Sequence, residues 1–373
     1  MLTKEQTKLL PYYFKEKQIL SLDGLRAVSI ILVIINHVAL NYPGSVVKDM
    51  GFGSLGVNIF FVISGFLITF LLLKEKMQYG NISLKNFYGR RVLRIIPVAY
   101  LFILVLFLLN YRFNLSLGTG TFLRPLFFCE NFVDHPTYGP AIHYWSLGVE
   151  EQFYLIFPWL LTKGIKIFLR VAIALFFLVP VIVYTNYHLP AGMPWLQMPM
   201  NILNSLLGKG MLSILTGCIA AILVFKFPGK FSVKFKYATL IQAGLFMATW
   251  FFNQYNWPAG INNIMLSISI AMLLLSVINN RENIVFRILN SRIVRYIGTI
   301  SYSLYIWQQI FAFQQPWANT GFPGRSIPIN LFLLLITAMV SYHGYEKQFL
   351  KLKTRFYRVH LQAKAKDNAY AVL

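Results

Sequence analysis

The chain has 373 residues, of which 57% are hydrophobic and only 12% are charged. A soluble globular domain carries about twice that charged fraction, so the composition excludes one and indicates a polytopic membrane protein. The formal net charge of +22 would suit nucleic acid, but the basic residues lie in alternate loops between apolar runs, so no nucleic-acid partner is predicted.

Ten apolar runs are long enough to cross a hydrocarbon core of about 30 Å. They cover approximately residues 22–40, 53–73, 95–110, 142–162, 169–186, 203–225, 238–253, 261–279, 296–315 and 328–345. The sequence therefore predicts an all-α fold, a bundle of about ten transmembrane helices that forms one domain over residues 1–373 and contacts membrane lipids.

The loops that alternate along the chain differ in charge, and this difference predicts the orientation. Most Lys and Arg residues lie before the first run, in every second connection, and after the last run. By the positive-inside rule, segment 1–20 and the basic tail 347–373 are both cytoplasmic. We expect a multi-pass protein of the inner (plasma) membrane.

The first run carries two ionisable residues on one helical face. Arg26 and His37 are eleven residues apart, and at 3.6 residues per turn that spacing returns to the same face. The rise between them is about 16.5 Å, so a cytoplasmic Arg26 places His37 at or beyond the midplane. Ionisable groups inside a span usually face a cavity and mark function. We expect His37 to act as a general base; the alternative is an imidazole that only bonds a neighbouring helix.

The second and third runs add small residues and a basic cluster. Ser64 and Gly65 predict close helix packing, and Ser64 has no base at helical spacing that would make it a nucleophile. Arg91 and Arg94, in RRVLRIIP (90–97), are helical neighbours at the predicted cytoplasmic end. They suit either anionic lipid headgroups or a phosphate clamp, because the planar fork of Arg matches phosphate oxygens.

The fourth run, HYWSLGVEEQFYLIFP (143–158), contains a polar stripe. His143, Glu150 and Tyr154 are separated by seven and four positions and share one face, whereas Glu151 points about 100 degrees away. A carboxylate in an apolar helix must be protonated, paired or solvated, so Glu150 is expected to pair with His37 or with an Arg. The alternative is an ion pair that is only structural.

Three further features complete the inventory. The outer connection 111–141 is rich in Gly and Pro, which predicts an irregular binding loop over the outer mouth. Lys209, inside the sixth run, either lines a cavity or extends to the membrane surface. Cys129 and Cys218 are expected to lie too far apart for a disulfide, and no metal-ligand spacing occurs, so no metal is predicted.

Five motifs, taken together and in order, resemble the membrane acyltransferase-3 family of bacterial O-acyltransferases. They are LDGLRAVSIILVIINH (22–37), GVNIFFVISGFLIT (56–69), RRVLRIIP (90–97), HYWSLGVEEQFYLIFP (143–158) and SYSLYIW (301–307). The resemblance implies transfer of an acyl group, often acetyl, from cytoplasmic acyl-CoA to a hydroxyl of an extracytoplasmic glycan or glycolipid. It also implies that relatives with an SGNH-type esterase domain carry it after the last span, and we expect none in this chain.

The family motifs are matched by Arg26, His37, Arg91, Arg94, Trp145, Ser146, Glu150 and Tyr154, and we predict roles for most of these residues and for His143. Catalysis is assigned to His37, Glu150 and Arg26; acyl-CoA binding to Arg91, Arg94 and Arg26; and acceptor binding to His143, Trp145 and Tyr154. Two positions depart from the family pattern. Gln308 stands where many relatives carry His, and Glu346 begins Glu-Lys-Gln where Glu-x-Pro is common.

The resulting hypothesis has Arg91 and Arg94 holding the phosphates of acyl-CoA, His37 activating the acceptor hydroxyl, and Glu150 orienting the imidazole. Direct transfer and an acyl-His intermediate both remain open. One rival is a transporter or flippase, which would often show inverted repeats that are not evident here. Another is a receptor or scaffold that has lost activity.

Overall fold

A computed structural model describes residues 19–42, 44–133, 139–189, 193–227, 230, 236–254 and 260–356. All regular secondary structure in these ranges is helical, which confirms the predicted fold class. Nearly all of segment 1–20 and the tail beyond residue 356 lie outside the described residues.

The helices longer than seven residues form the bundle. They are α1 (Leu22–Ala39), α2 (Phe52–Tyr79), α3 (Leu84–Phe113), α5 (Tyr144–Lys163), α6 (Ile165–His188), α7 (Pro194–Leu203), α8 (Met211–Lys226), α9 (Ala238–Gln254), α10 (Ile261–Asn279), α12 (Arg292–Thr299), α13 (Ser301–Ala312) and α14 (Ile327–Val340). Two shorter helices, α4 (Gly120–Leu126) and α11 (Ile284–Leu289), lie between them.

Seven helical segments are long and apolar enough to cross a membrane. They are Leu22–Ala39, Val46–Tyr79, Leu84–Phe113, Ile165–His188, Trp195–Lys226, Ile261–Asn279 and Ile327–Phe356. The chain is therefore a multi-pass membrane protein, and these seven segments coincide with seven of the ten predicted runs.

The other three predicted runs are helical but differ from a simple span. Helix α5 contains the consecutive polar residues Glu150, Glu151 and Gln152, α9 is 17 residues long, and the run 296–315 is interrupted at Ile300 between α12 and α13. The total of about ten spans and the cytoplasmic termini therefore stay predictions.

Helix α2 is the centre of the bundle and packs on α1, α8 and α10. Its contact with α8 is close because a side chain at Gly65 would collide with the carbonyl of Ile214, and one at Gly217 would collide with that of Val62. Gly65 is thus a packing residue, as its small size predicts.

The last long helix changes pitch where it reaches the site. After α14 the chain forms a π-helical turn over Ser341–Glu346 and continues as a helix to residue 356. π turns within helices are frequent at functional sites, because the extra residue redirects side chains. Here the turn buries Glu346, which is 4% exposed.

Candidate active site

A cavity of about 250 Å³ lies among α1, α2, α3, α5, α13 and the last helix. Its lining is apolar apart from hydroxyl groups, one carboxylate and a set of cations. The cations are Arg26, Arg90, Arg91, Arg94 and Lys353, and the carboxylate is Glu150. The structure therefore gathers Arg26, Arg91, Arg94 and Glu150, four of the predicted site residues, around one cavity.

Arg91 is held by three groups of α5. Its Nη2 lies 3.1 Å from Oε1 of Glu151 and 3.7 Å from Oε2 of Glu150. Its guanidinium also lies over the ring of Tyr154, 3.8 Å from the ring centroid. Of the two expected partners of Glu150, the structure selects an Arg. Ser64, on α2, lies next to the same carboxylate.

Three other cations of the cavity have no such partner. Arg90 pairs with Glu75 at 2.9 Å, but no carboxylate of the described residues lies within ion-pair distance of Arg26, Arg94 or Lys353. Buried cations are costly unless they are compensated. These three side chains are therefore suited to receive an anionic group.

Glu346 moderates this positive charge without pairing directly. Its carboxylate accepts a hydrogen bond from the hydroxyl of Ser303 at 2.8 Å, and it interacts electrostatically with Arg26 and Arg94. The altered sequence after Glu346 therefore leaves the carboxylate itself inside the site.

His37 lies outside this cavity and is not among the residues that line it. Its Nδ1 is 2.6 Å from Oε1 of Gln308. With the amide oxygen of Gln308 as the acceptor, the proton is on Nδ1 and Nε2 is the nitrogen that can accept. Among the described residues Gln308, and not Glu150, is hydrogen-bonded to His37, and His37 is not among the residues that line the cavity of Arg26.

Ser146 of α5 and Tyr305 of α13 line the part of the cavity that is nearest to His143. The hydroxyls of Ser146 and Tyr305 are 2.5 Å apart, and both lie within hydrogen-bond distance of the carbonyl oxygen of His143. The ring of His143 packs edge-on against that of Tyr305, and His143 is close enough to His37 for the imidazoles to interact electrostatically. His143 thus contacts the Ser146–Tyr305 pair, which lines the cavity, and lies near His37.

The three predicted acceptor-binding residues lie in different parts of the structure. His143 is buried near His37, whereas Tyr154 is buried under the guanidinium of Arg91. Trp145 lines a second cavity, together with Lys209. Lys209 therefore lines a cavity, which decides between the two alternatives for this residue.

Sequence reasoning missed Lys353 and the role of Gln308. Lys353 was included in a basic tail, but the helix that follows the π turn carries it to the cavity. Gln308 was noted only as a departure from a motif, although it is fully buried and contacts His37. Its position in the SYSLYIW motif was the available signal.

Comparison with known proteins agrees with this geometry. The profile of a family described as an acyltransferase domain matches residues 19–342. YrhL of Bacillus subtilis (strain 168), a candidate peptidoglycan O-acetyltransferase, is 30% identical over 355 residues, 87% of this chain and 54% of its own length. The peptidoglycan O-acetyltransferase OatA of Listeria monocytogenes is 28% identical over 325 residues, 79% of this chain and 49% of its own length.

A candidate O-acetyltransferase of Staphylococcus aureus (strain COL) is 29% identical over 372 residues, 93% of this chain and 59% of its own length. The chain thus spans about half the length of the curated relatives that it matches. No solved structure matches the chain.

Proposed function

Because the chain belongs to the acyltransferase-3 family of membrane acyltransferase domains, we propose that it transfers an acetyl group from acetyl-CoA, on the cytoplasmic side of the plasma membrane, to a hydroxyl of an extracytoplasmic cell-wall glycan. The observation that carries this proposal is the cavity lined by Arg26, Arg94 and Lys353, near which His37 is hydrogen-bonded through Nδ1 to Gln308. The peptidoglycan named in its relatives supports a glycan as the acceptor.

The donor enters the cavity from its cationic end. At about 250 Å³ the cavity is smaller than the roughly 300–1,000 Å³ of pockets that enclose a drug-sized ligand. It accommodates the acetyl-pantetheine arm but not the nucleotide, which stays at the mouth. Arg26, Arg94 and Lys353 bind phosphate oxygens there, and Arg91 keeps its carboxylate partners and forms the wall.

His37 performs the proton transfer. In direct transfer, Nε2 takes the proton of the acceptor hydroxyl, the oxygen attacks the thioester carbonyl, the C–S bond breaks, and the thiolate receives the proton from the imidazolium. In the alternative, Nε2 attacks the thioester, the thiolate leaves, and the acetyl group passes from the imidazole to the hydroxyl, whose proton goes to the thiolate. Both routes require a free Nε2, which the contact with Gln308 provides.

The thioester must pass the pair formed by Ser146 and Tyr305 to reach His37. Both residues line the cavity and their hydroxyls are hydrogen-bonded to each other; in this proposal a rotamer change of Tyr305 opens the route without movement of a helix. We infer that the structure corresponds to the closed state.

The overall proposal is tested with the purified full-length chain in lipid nanodiscs, supplied with acetyl-labelled acetyl-CoA and an oligosaccharide of N-acetylglucosamine. We expect label in O-acetyl ester linkage on the sugar, released by mild base. A transporter would leave acetyl-CoA intact, and that result would overturn the proposal.

Gln308 is expected to act as a positioning residue for His37. Gln308→Leu removes the acceptor for Nδ1–H and should lower kcat by roughly ten- to a hundredfold, the usual effect of losing a partner that orients a functional His. The KM for acetyl-CoA should stay unchanged. Gln308→Glu retains an acceptor oxygen and should restore most of kcat.

Gln309→Leu is the matched control for this test, because Gln309 is the adjacent residue and is equally buried but makes no contact with His37 among the described residues. Steady-state kinetics on the three variants separate a positioning role from a structural one. Equal loss of activity in Gln308→Leu and Gln309→Leu would refute the positioning role.

A further inference from the structure

A second cavity, of about 420 Å³, lies at the opposite end of the bundle from the arginine cluster. Its residues come from the first three turns of α2, the first turns of α5, α8 and α10, and the connections that precede α5 and α8. Because α3 follows α2 after a short turn, Arg91 and Arg94 lie near the other end of α2. If the arginines are cytoplasmic, this outer cavity faces the extracytoplasmic side.

The lining of the outer cavity combines two aromatic rings with hydrogen-bonding side chains. Trp145 and Phe61 contribute rings, and the polar side chains are Asn58, Glu130, Lys209, Ser213 and Asn263. Amide, hydroxyl, ammonium and carboxylate groups together can pair with a ligand that is rich in hydroxyl and amide groups. An aromatic ring in the same site provides a surface for the apolar C–H face of such a ligand.

The polar groups are held in place by their neighbours. The hydroxyl of Ser213 donates to Oδ1 of Asn58 at 2.6 Å, and Nζ of Lys209 donates to the carbonyl of Asn131 at 3.0 Å. Asn131 is fully buried and bonds the side-chain amide of Gln152 on α5. A site with its donors and acceptors fixed in advance binds a ligand with a smaller entropy loss.

The outer cavity meets the donor cavity at a shared wall. Phe61 lines both cavities, and its ring packs edge-on against that of Trp145, with the centroids 6.0 Å apart. The consecutive residues Trp145 and Ser146 line different cavities, the outer one and the donor one respectively. A hydroxyl bound in the outer cavity is therefore separated from the end of the donor cavity by side chains only.

We propose that the outer cavity, built by Trp145, Asn58, Ser213, Asn263 and Lys209, binds one saccharide unit of the acceptor. A pyranose presents the apolar face that Trp145 requires and the hydroxyl or acetamido groups that pair with the amides and the ammonium. This proposal rests on the proposed function and adds the place where the acceptor binds. It assigns a binding role to Asn58, which lies in the motif 56–69, and to Lys209, Ser213 and Asn263, which lie outside the family motifs named above.

The test compares acceptor and donor parameters in full-length chains in lipid nanodiscs, with acetyl-CoA and an oligosaccharide of N-acetylglucosamine as probes. Trp145→Ala and Lys209→Met should each raise the KM for the oligosaccharide roughly tenfold, the effect of losing about one good contact. The Kd for acetyl-CoA should not change. Trp145→Phe keeps an aromatic surface and should recover part of the acceptor affinity.

Each variant has a matched control residue, which lies near the far end of α5 or of α8. Trp159 is on α5 and half-exposed, and Lys226 ends α8. Trp159→Ala and Lys226→Met should leave the oligosaccharide KM unchanged. If Trp145→Ala and Lys209→Met behave like these controls while the wild-type chain transfers acetyl, the acceptor site is placed wrongly. If the wild-type chain transfers nothing, the proposed function fails instead.

Discussion

Replacing His37 by Ala is expected to abolish transfer of acetyl to the glycan while the protein still inserts and still binds acetyl-CoA. A general base contributes typically 10²–10⁴-fold to a rate, so the residual rate is expected to be between roughly a hundredth and a ten-thousandth of the wild-type rate. The side chain contacts Gln308 and does not line the donor cavity, so the Kd for acetyl-CoA should be unaffected. Transfer kinetics and donor binding on the same preparation measure both quantities.

The control for this variant is His188→Ala, because His188 is an exposed imidazole at the end of α6, far along the chain from the site. It should keep wild-type rates. Acid quenching of wild-type protein mixed with labelled acetyl-CoA, without acceptor, then distinguishes the two chemical routes. Label retained on the protein and absent from His37→Ala indicates an acyl-His intermediate. A His37→Ala chain with wild-type transfer would exclude both routes.

The helical fold was predictable from the sequence because hydropathy alone determines where a chain can enter lipid. The departures occur where function alters that signal. Helix α5 carries Glu150, Glu151 and Gln152 in succession, which lowers its hydropathy, and Ile300 interrupts the run that leads to Gln308. These two places carry polar residues of the site, so the deviation from a regular span itself marks the functional region.

The candidate site was predictable where its residues share a helix. Helical periodicity places Glu150 and Tyr154 on one face, and both contact Arg91. It cannot indicate which helix packs opposite. Gln308 reaches His37 across 271 residues of sequence, and Lys353 enters the cavity only because a π turn redirects the last helix. Contacts between helices depend on packing, which a single sequence does not determine.

The sequence treats Arg91 and Arg94 as equivalent, and the structure separates them into different roles. Arg91 neutralises two carboxylates and lies on an aromatic ring, whereas no carboxylate of the described residues pairs with Arg94. Removing one partner of a buried ion pair leaves an uncompensated charge, which costs about 3–5 kcal/mol. Removing a cation that has no carboxylate partner leaves no uncompensated charge behind.

Arg91→Met is therefore expected to destabilise the protein by about 3–5 kcal/mol, measured as a large fall in the unfolding temperature in detergent. Arg94→Met should leave the unfolding temperature near the wild-type value and raise the Kd for acetyl-CoA roughly tenfold or more, the loss of a charge-assisted contact to phosphate. The double variant Arg91→Met with Glu150→Gln removes both charges of one pair and should recover part of the lost stability.

Stability and donor affinity are separate measurements on the same variants, so they distinguish the role of Arg91 from that of Arg94. Lys351→Met supplies a neutral reference, since Lys351 is an exposed cation two residues from Lys353 that does not line the cavity. It should change neither quantity. If Arg91→Met and Arg94→Met changed the unfolding temperature and the Kd for acetyl-CoA equally, the two arginines would act together as a phosphate clamp. Arg91 would then exchange Glu150 and Glu151 for the donor when the donor binds.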